Sequence, residues 1–401
     1  MPAFVFPGQG AQRPGMGRPW TEHPSWEVVE DASVASDRDI SHLLVDASLE
    51  ELTETRNAQL ATFTFSLVIL DAVERLGIEP TRVAGHSLGE YTALAASGVL
   101  GFDESIRVVA ERGEAMQAVA DAQPGVMSVI VGCDADTVDV ACRLADGEVW
   151  LANFNSAEET VIAGESGSVA RAGEIAIELG ARRCTPVAVG GAFHTPFMAP
   201  ARDRLRKALA TTTFHEADIP VVANVDGRIH TAPADWPLLL SAQLCSPIRW
   251  RQSIMRLGGL ADPGADSEHL FVELGPGDAL CTMVLHTLPS VTTLAVSTPA
   301  DLDRLVDAVS GNSALHAYAL GHQGELLYVS ERVVISPAAG IFEPAEGVDL
   351  DGGTTIDVGT LLGTVSGAEV RSPFSGQLKG PLADSGERVQ TGQPIAWLHA
   401  S

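Results

Sequence analysis

The sequence Gly85-His-Ser-Leu-Gly-Glu90 follows a short apolar run, Arg82-Val-Ala84, and precedes an alanine-rich stretch that begins at Tyr91. The run before it predicts a buried strand and the stretch after it predicts a helix. In such a strand-to-helix turn the two glycines let the backbone bend sharply and expose the serine hydroxyl, while the amide of Leu88 faces a forming oxyanion. The motif therefore predicts that Ser87 is a nucleophile, with an ordinary glycine-rich turn as the alternative.

Around this turn, apolar or β-branched runs alternate with helical patterns over about the first 300 residues, as in α/β domains. Ala3-Phe-Val-Phe6 predicts another buried strand, and the spaced apolar residues of Gln59–Leu76 predict a helix. A different pattern fills 122–189. It predicts strands near 125–131, 149–152, 160–162 and 184–188, with helices over 135–145 and 166–180. That βαββαβ order predicts a ferredoxin-like subdomain inserted between 1–121 and 190–310, which together form the larger α/β subdomain.

The C-terminal part of the chain is rich in Gly, Pro, Thr and Val and contains a repeat. Ile335-Ser-Pro-Ala-Ala-Gly-Ile341 recurs as Arg371-Ser-Pro-Phe-Ser-Gly-Gln377, and each copy is followed by a V/I-x-x-G-x-x-I/L run. Two such halves predict a small all-β sandwich over 325–401, joined to the first domain by a linker at 311–324.

Composition excludes several classes of protein. The chain has 401 residues, enough for two or three domains, and 45% of them are apolar, as in a folded protein. Neither a membrane-spanning run nor a signal peptide is evident, so a cytoplasmic location is expected. Acidic residues outnumber basic ones by 52 to 25, which disfavours nucleic-acid binding. The five cysteines include no CxxC pair and predict reduced core thiols without disulfides or bound metal.

A serine nucleophile needs a base, and histidine has the appropriate pKa. Among eleven histidines, His194 is distinguished by its flanks in Gly190-Gly-Ala-Phe-His-Thr-Pro-Phe197. His86, next to the nucleophile, is expected to point away from the strained turn and to serve in packing.

Six motifs stand in order along the chain: Phe6-Pro-Gly-Gln-Gly-Ala-Gln12, Gly85-His-Ser-Leu-Gly-Glu90, Arg112-Gly-Glu-Ala-Met-Gln117, Gly191-Ala-Phe-His-Thr195, Gln243-Leu-Cys-Ser-Pro247 with Trp250, and Glu273-Leu-Gly-Pro-Gly277. The same motifs occur in this order in malonyl-CoA:acyl-carrier-protein transacylases and in the acyltransferases of polyketide synthases. The chain resembles that family over about residues 3–300. The resemblance implies an α/β-hydrolase-like core and a ping-pong enzyme that moves a malonyl or related dicarboxylic acyl group from CoA to the phosphopantetheine thiol of an acyl carrier protein.

The same resemblance assigns the reacting groups. It implies that Ser87 carries the acyl ester and that His194 is its general base, in a dyad. A backbone carbonyl near Gln243, rather than a carboxylate, would orient the imidazole. The backbone amides of Gln9 and Leu88 would form the oxyanion hole.

Three residues are implied to contact the acyl group. Arg112 matches the guanidinium that holds the free malonyl carboxylate, which needs a fixed planar donor pair when it enters an apolar tunnel. On spacing alone, a surface helix arginine is the alternative. Phe193, directly before the histidine, favours malonyl over branched acyl groups in this family. Met116, from the motif of Arg112, is a further expected substrate contact.

A basic segment on a predicted helix suits an acidic carrier protein. Carrier proteins are typically acidic, and opposite charge guides docking. The predicted docking residues are Arg202, Arg204, Arg206 and Lys207.

The C-terminal repeat resembles the biotinyl/lipoyl attachment fold, in which the cofactor is carried by a lysine at the hairpin between the halves. Here the join, Gly363-Thr-Val-Ser-Gly-Ala-Glu-Val370, has no lysine, and Lys379 stands after the second repeat. We therefore expect neither biotin nor lipoate, and no other cofactor.

An editing acyl hydrolase with the acyltransferase fold is the alternative function, but it has little use for the carboxylate clamp at Arg112.

Overall fold

The computed structural model describes residues 2–259, 270–310, 331–345, 353–374, 376–383, 385–391 and 393–400. The chain divides into two compact units, one formed by 1–71 and 79–301 and the other by 72–78 and 302–401. The predicted linker at 311–324 lies outside the described residues, so the predicted domain borders stay predictions.

The helices and strands are numbered here along the chain. The helices are α1 (Glu27–Ser36), α2 (Ile40–Val45), α3 (Leu49–Thr53), α4 (Thr55–Glu74), α5 (Gly89–Ala96), α6 (Phe102–Ala122), α7 (Ala135–Leu144), α8 (Ser166–Glu178), α9 (Ala199–Leu209), α10 (Trp236–Gln243), α11 (Trp250–Leu257), α12 (Ala279–Thr287) and α13 (Ala300–Ser310). The strands are β1 (Ala3–Phe6), β2 (Arg82–Gly85), β3 (Val126–Val131), β4 (Val149–Phe154), β5 (Glu159–Gly164), β6 (Arg183–Val187), β7 (Val221–Val222), β8 (Ile229–His230), β9 (Leu270–Leu274), β10 (Thr292–Val296), β11 (Glu331–Ile335), β12 (Gly340–Pro344), β13 (Thr355–Ile356), β14 (Leu361–Val365), β15 (Ala368–Arg371), β16 (Gly376–Pro381), β17 (Arg388–Val389) and β18 (Pro394–Ala400).

The larger sheet of the first unit has the order β10-β9-β1-β2-β7-β8, and its neighbours are parallel except for the antiparallel pair β7 and β8. Every residue of β1 is buried, as expected for a central strand covered on both faces. The predicted α/β class is confirmed, and so are the two predicted strands, β1 and β2, the second of which leads into the serine turn. The predicted helix Gln59–Leu76 instead begins at Thr55, where the Gln117 side chain accepts the Thr55 N–H at 2.7 Å.

The smaller sheet is antiparallel, with the order β4-β5-β3-β6, and follows the predicted βαββαβ order. Helices α7 and α8 pack on it through a core that includes Ile130, Val138, Ile162, Val169 and Ile175. Strands β4 and β5 extend beyond the predicted segments, to Phe154 and Gly164.

The second unit contains two antiparallel four-stranded sheets, ordered β11-β18-β16-β13 and β15-β14-β12-β17, around an apolar core. The predicted all-β character of this part is confirmed. Strands β14 and β15 are joined by Ser366 and Gly367, whose φ values of 50° and 86° are those of a two-residue hairpin turn. Among the helices of the described residues, none has the length and apolarity needed to cross a membrane.

Candidate active site

Ser87 lies where β2 ends and α5 begins, and its own φ of 55° makes the sharp turn. Neither Gly85 nor Gly89 has a positive φ, so the glycines permit the sharp turn through their lack of a side chain and not through a left-handed backbone. They are needed for close approach: a Cβ at Gly85 would lie 1.8 Å from the Gly89 carbonyl oxygen, and one at Gly89 would lie 2.0 Å from the Phe6 carbonyl oxygen. The two glycines thus allow the turn to pack closely against β1, and the strained backbone conformation falls on Ser87.

Ser87 and His194 form a buried hydrogen-bonded pair. The distance from Ser87 Oγ to His194 Nε2 is 2.7 Å. His194 Nδ1 is 2.9 Å from the backbone carbonyl of Gln243, which can only accept, so Nδ1 carries the ring proton and Nε2 is left to accept one. This is the arrangement implied by the family resemblance.

The environment of His194 keeps the imidazole neutral. Burial, reinforced by the positive charge of Arg112, lowers the pKa of His194 to about 3, although its bond to Gln243 opposes the shift. At neutral pH the ring is therefore in the form that can take a proton from Ser87.

Arg112 reaches Ser87 from α6. Its side chain is fully buried, so the alternative of a surface helix arginine does not hold. The Nη2 atom donates to Gln243 Oε1 at 2.9 Å and to Ser87 Oγ at 3.2 Å, and Nη1 donates to Gln59 Oε1. The guanidinium also lies 5.2 Å from the centre of the Tyr91 ring. Neutral amides and an aromatic face thus hold the positive charge of Arg112 beside Ser87 Oγ.

Gln59 on α4 connects several predicted site residues and was missed in the sequence. Its Nε2 donates to Gln9 Oε1 at 3.2 Å and approaches Met116 Sδ at 3.5 Å, while its Oε1 accepts from Arg112. Phe193, which directly precedes His194, is buried. A polar residue in the mostly apolar run of α4 is the signal that could have identified Gln59.

The loop after β1 lies against the serine turn. A Cβ on Gly8 would come within 2.5 Å of the His86 carbonyl oxygen. Among the described residues, the backbone N–H groups of Gln9 and Leu88 have no hydrogen-bond acceptor. Two amides are therefore available on either side of the turn.

A buried polar network behind Ser87 contains two more residues that the sequence did not reveal. Asn224 accepts the Ser87 N–H at 2.8 Å and donates to the Gly85 carbonyl at 2.7 Å. Glu90 accepts the Asn224 N–H at 2.7 Å through one oxygen and Gln243 Nε2 through the other. Gln243 Nε2 also donates to the Ser87 carbonyl at 2.8 Å. Asn224 follows β7 as Ser87 follows β2, and that shared sheet edge could have identified it.

Comparison with known proteins identifies the family of the chain. The sequence profile of the acyl transferase domain matches residues 3–309. The chain belongs to the acyl transferase family. Two relatives, each named malonyl CoA-acyl carrier protein transacylase, are 36% identical: that of Bacillus subtilis strain 168 over 312 residues (77% of this chain, 96% of the relative) and that of Escherichia coli K12 over 305 residues (74% and 96%).

Solved structures of the family superpose on the same part of the chain. An acyl carrier protein S-malonyltransferase of Vibrio cholerae gives a TM-score of 0.71 at 36% identity, covering 76% of this chain and 99% of its own. A malonyl-transacylase in complex with its type II polyketide-synthase acyl-carrier protein gives 0.72 at 35% identity, with 77% and 99% covered.

Other groups near the acyltransferase site have supporting positions. His86 Nε2 lies 3.2 Å from Asn155 Oδ1, and its ring packs edge-on against Trp250. It therefore takes no part in the dyad, in agreement with the expectation that it serves in packing. Burial lowers the pKa of His86, so this ring is also neutral.

A cavity of about 650 Å³ reaches His194. Its walls come from α7 and β4 of the smaller sheet layer on one side, and from Pro196, Cys245 and Pro247 on the other.

All five cysteines are free thiols, but only Cys142 and Cys281 are buried, so the expectation of core thiols holds for these two. No group of three His, Cys, Asp or Glu side chains within the described part of the chain could hold a metal ion.

The predicted docking segment forms α9, but half of its charge is compensated. Arg204 makes a two-pronged pair with Glu111 of α6, and Arg202 donates to Asp203 at 3.0 Å. Arg206 and Lys207 are exposed. These two residues carry the positive charge that remains available to a partner.

Proposed function

We propose that this acyl transferase family member is a malonyl-CoA:acyl-carrier-protein transacylase that carries the malonyl group as an ester on Ser87. The observation that carries the proposal is the buried guanidinium of Arg112, whose Nη2 atom lies 3.2 Å from Ser87 Oγ. A fixed cation at that position matches an acyl group that ends in a carboxylate. An enzyme that simply hydrolyses neutral acyl groups gains nothing from it.

In the first half-reaction, His194 Nε2 takes the hydroxyl proton of Ser87 while Oγ attacks the thioester carbonyl. The backbone N–H groups of Leu88 and Gln9 stabilise the resulting oxyanion. The C–S bond then breaks, and CoA leaves as a thiol with the proton that His194 returns.

In the second half-reaction, His194 takes the proton of the carrier's phosphopantetheine thiol, and the thiolate attacks the ester. Ser87 leaves with the proton that His194 gives back. Each half-reaction balances with one proton shuttled by one imidazole, so we expect no metal or attached cofactor.

We assign the acyl contacts to residues around the guanidinium. Arg112 binds the malonyl carboxylate, and the side chains of Gln59 and Gln243 fix the orientation of the Arg112 guanidinium. Phe193 and Met116 line the acyl pocket, and the ring of Phe193 fills the space that an α-substituent would need. These contacts favour malonyl over branched acyl groups.

The cavity at His194 is the proposed path of the pantetheine arm. We place the carrier protein on α9 near Arg206 and Lys207, because Arg202 and Arg204 already have acidic partners. Opposite charge would then orient an acidic carrier before its thiol enters.

The second unit is proposed to be an unmodified packing or interaction module with a biotinyl/lipoyl-like arrangement. Its Ser366–Gly367 hairpin presents no amine, and Lys379 bonds to the Gln377 side chain at 3.0 Å. Intact mass should therefore show no biotin or lipoate. The free thiols accord with a cytoplasmic location.

The function is tested by intact-mass measurement after exposure to a panel of acyl-CoAs, followed by addition of phosphopantetheinylated carrier protein. The wild-type protein should gain one malonyl group, on the peptide that contains Ser87, and pass it to the carrier. Ser87→Ala should gain none, and His194→Ala should be acylated about a thousandfold more slowly. Ser166→Ala, on the surface helix α8, is the matched control. Labelling of Ser87→Ala, or release of free malonate in place of transfer, would contradict the proposal.

A further inference from the structure

Glu90 is a fully buried carboxyl group within the acyl site. Its two oxygens accept from neutral donors, the Asn224 N–H and Gln243 Nε2. No direct ion pair to Glu90 occurs among the described residues. Its link to a positive charge runs through Gln243, whose Oε1 accepts from Arg112 at 2.9 Å.

The charged groups around Glu90 oppose one another. Burial raises the pKa of Glu90 to about 7, while its two hydrogen bonds and the charge of Arg112, on α6, hold that pKa down. Asp226, after β7, raises it further, and Tyr91 beside it is neutral because burial raises the pKa of its phenol well above any working pH. Glu90 therefore changes its charge near neutral pH, and its ionised form is favoured by the hydrogen bonds from Asn224 and Gln243 and by the charge of Arg112.

A second carboxylate at Arg112 would alter this balance. Pairing with an acyl carboxylate cancels the positive charge that stabilises the Glu90 anion and adds a negative charge to the same buried region. Both changes favour the protonated form of Glu90. Each of its oxygens accepts one bond and keeps lone-pair capacity for a proton.

We propose that Glu90 takes up a proton from solvent when Arg112 binds the carboxylate of an acyl donor, so that the site exchanges one buried carboxylate for another. The inference rests on the proposed function, since it requires Arg112 to bind that carboxylate. An uncharged acyl group enters without a proton. Glu90 is a positioning residue, because it contacts Gln243 and Asn224 and neither the substrate nor the reacting atoms.

Other histidines define the necessary controls. The pKa values of His194 and His86 are lowered by burial, so both are neutral at pH 7. An incoming carboxylate also raises the pKa of His194, which makes His194 the competing site for the proton. His230 bonds to Asp226 and Asp235 at 3.0 Å each, and although burial lowers its pKa, these two carboxylates together raise it above the usual value. His230 lies beyond Asp226 and should respond equally to charged and uncharged donors.

The test is isothermal titration calorimetry of full-length Ser87→Ala protein, which binds without reacting, in phosphate and in Tris buffer. The difference in binding enthalpy between buffers gives the protons taken up. When malonyl-CoA binds, the protein should take up about half a proton at about pH 7.5 and almost none at about pH 6, where Glu90 is already neutral. When acetyl-CoA binds, the protein should take up none at either pH.

Two double variants locate the proton. Ser87→Ala/Glu90→Gln should bind malonyl-CoA without proton uptake, and its dissociation constant should lose the pH dependence seen with Glu90 present. Ser87→Ala/His230→Asn should keep the uptake. Uptake that persists without Glu90 would place the proton elsewhere, on His194 for example, and would overturn the proposal.

The comparison of malonyl-CoA with acetyl-CoA requires no change at Glu90, so it can overturn the proposal even if Glu90→Gln does not fold. Equal uptake for the two donors, or none for malonyl-CoA, overturns the inference. If the wild-type protein still forms the malonyl ester on Ser87, the proposed function survives that result. A wild-type protein that forms no malonyl ester would overturn the function itself.

Discussion

Replacing Arg112 by alanine should convert the enzyme from one that selects a charged acyl group into one that does not. The substitution leaves Gln59 Oε1 and Gln243 Oε1 without their donor, and this cost is the same for every acyl donor. Only a malonyl donor also loses the partner of its carboxylate in a fully buried site. The ratio of kcat/KM for malonyl-CoA to that for acetyl-CoA therefore isolates the clamp from general damage.

The size of the effect follows from the burial of Arg112. Removing one partner from a buried ion pair costs about 3–5 kcal/mol, because the other charge stays uncompensated. A loss of about 3 kcal/mol corresponds to a ratio about 150-fold lower. Arg112→Lys keeps the charge but loses the planar fork, so its ratio should lie between those of the wild type and of alanine.

The assay is competition between malonyl-CoA and acetyl-CoA for Ser87, read by intact mass at short times. Arg204→Ala serves as the control, since this arginine pairs with Glu111 on the surface. An equal loss for both donors in Arg112→Ala would show that the arginine only supports the fold, and the reasoning from carboxylate pairing would fail.

Three further predictions concern pH and docking. Since the pKa of His194 is lowered to about 3, acylation at saturating malonyl-CoA should change by no more than about twofold between pH 8 and pH 5; a fall centred near pH 6.5 would contradict the buried base. Glu273 is buried, and burial raises its pKa to about 7, above its value in the unfolded chain. The folded protein therefore loses stability as pH rises from the unfolded pKa of Glu273 to about 7, because the buried carboxyl group has to become charged. Glu273→Gln should therefore stabilise the protein by about 1–3 kcal/mol at pH 8 and hardly at pH 5, measured by thermal unfolding with exposed Glu174→Gln as control; an equal effect at both pH values would refute it. Arg206→Glu/Lys207→Glu should raise KM for carrier protein, more at low salt, and leave acylation by malonyl-CoA unchanged. The control Arg171→Glu, on α8, should change neither the KM for carrier protein nor acylation.

Local patterns were sufficient to predict the elements that carry the nucleophile. An apolar run, a GxSxG turn and a helical stretch predicted the strand and helix around Ser87, because these depend on neighbouring residues. His194 was indicated by its flanking residues and by the family resemblance, but its pairing with a serine 107 positions away left no mark in the local pattern. The resemblance also drew attention to Arg112, whose place in a helix alone indicated the surface.

Contacts between distant segments set the limit of what could be predicted. Glu90 ends the motif that identified the nucleophile, yet a glutamate in the first turn of a helix normally faces solvent. Its burial depends on Asn224, 134 residues later. In the same way, the pair of Arg204 with Glu111 joins segments 93 residues apart, so the charge of the basic segment was overestimated.

The bonds that hold Ser87 also determine when it can become reactive during synthesis. Its N–H and carbonyl groups are held by Asn224 and Gln243, which the ribosome adds 137 and 156 residues later. A growing chain that carries the serine but not these partners has no completed dyad, because the carbonyl that orients His194 also belongs to Gln243. Acylation therefore cannot precede packing of the late segments. Covalent labelling of Ser87 would thus count only molecules whose first unit has finished folding.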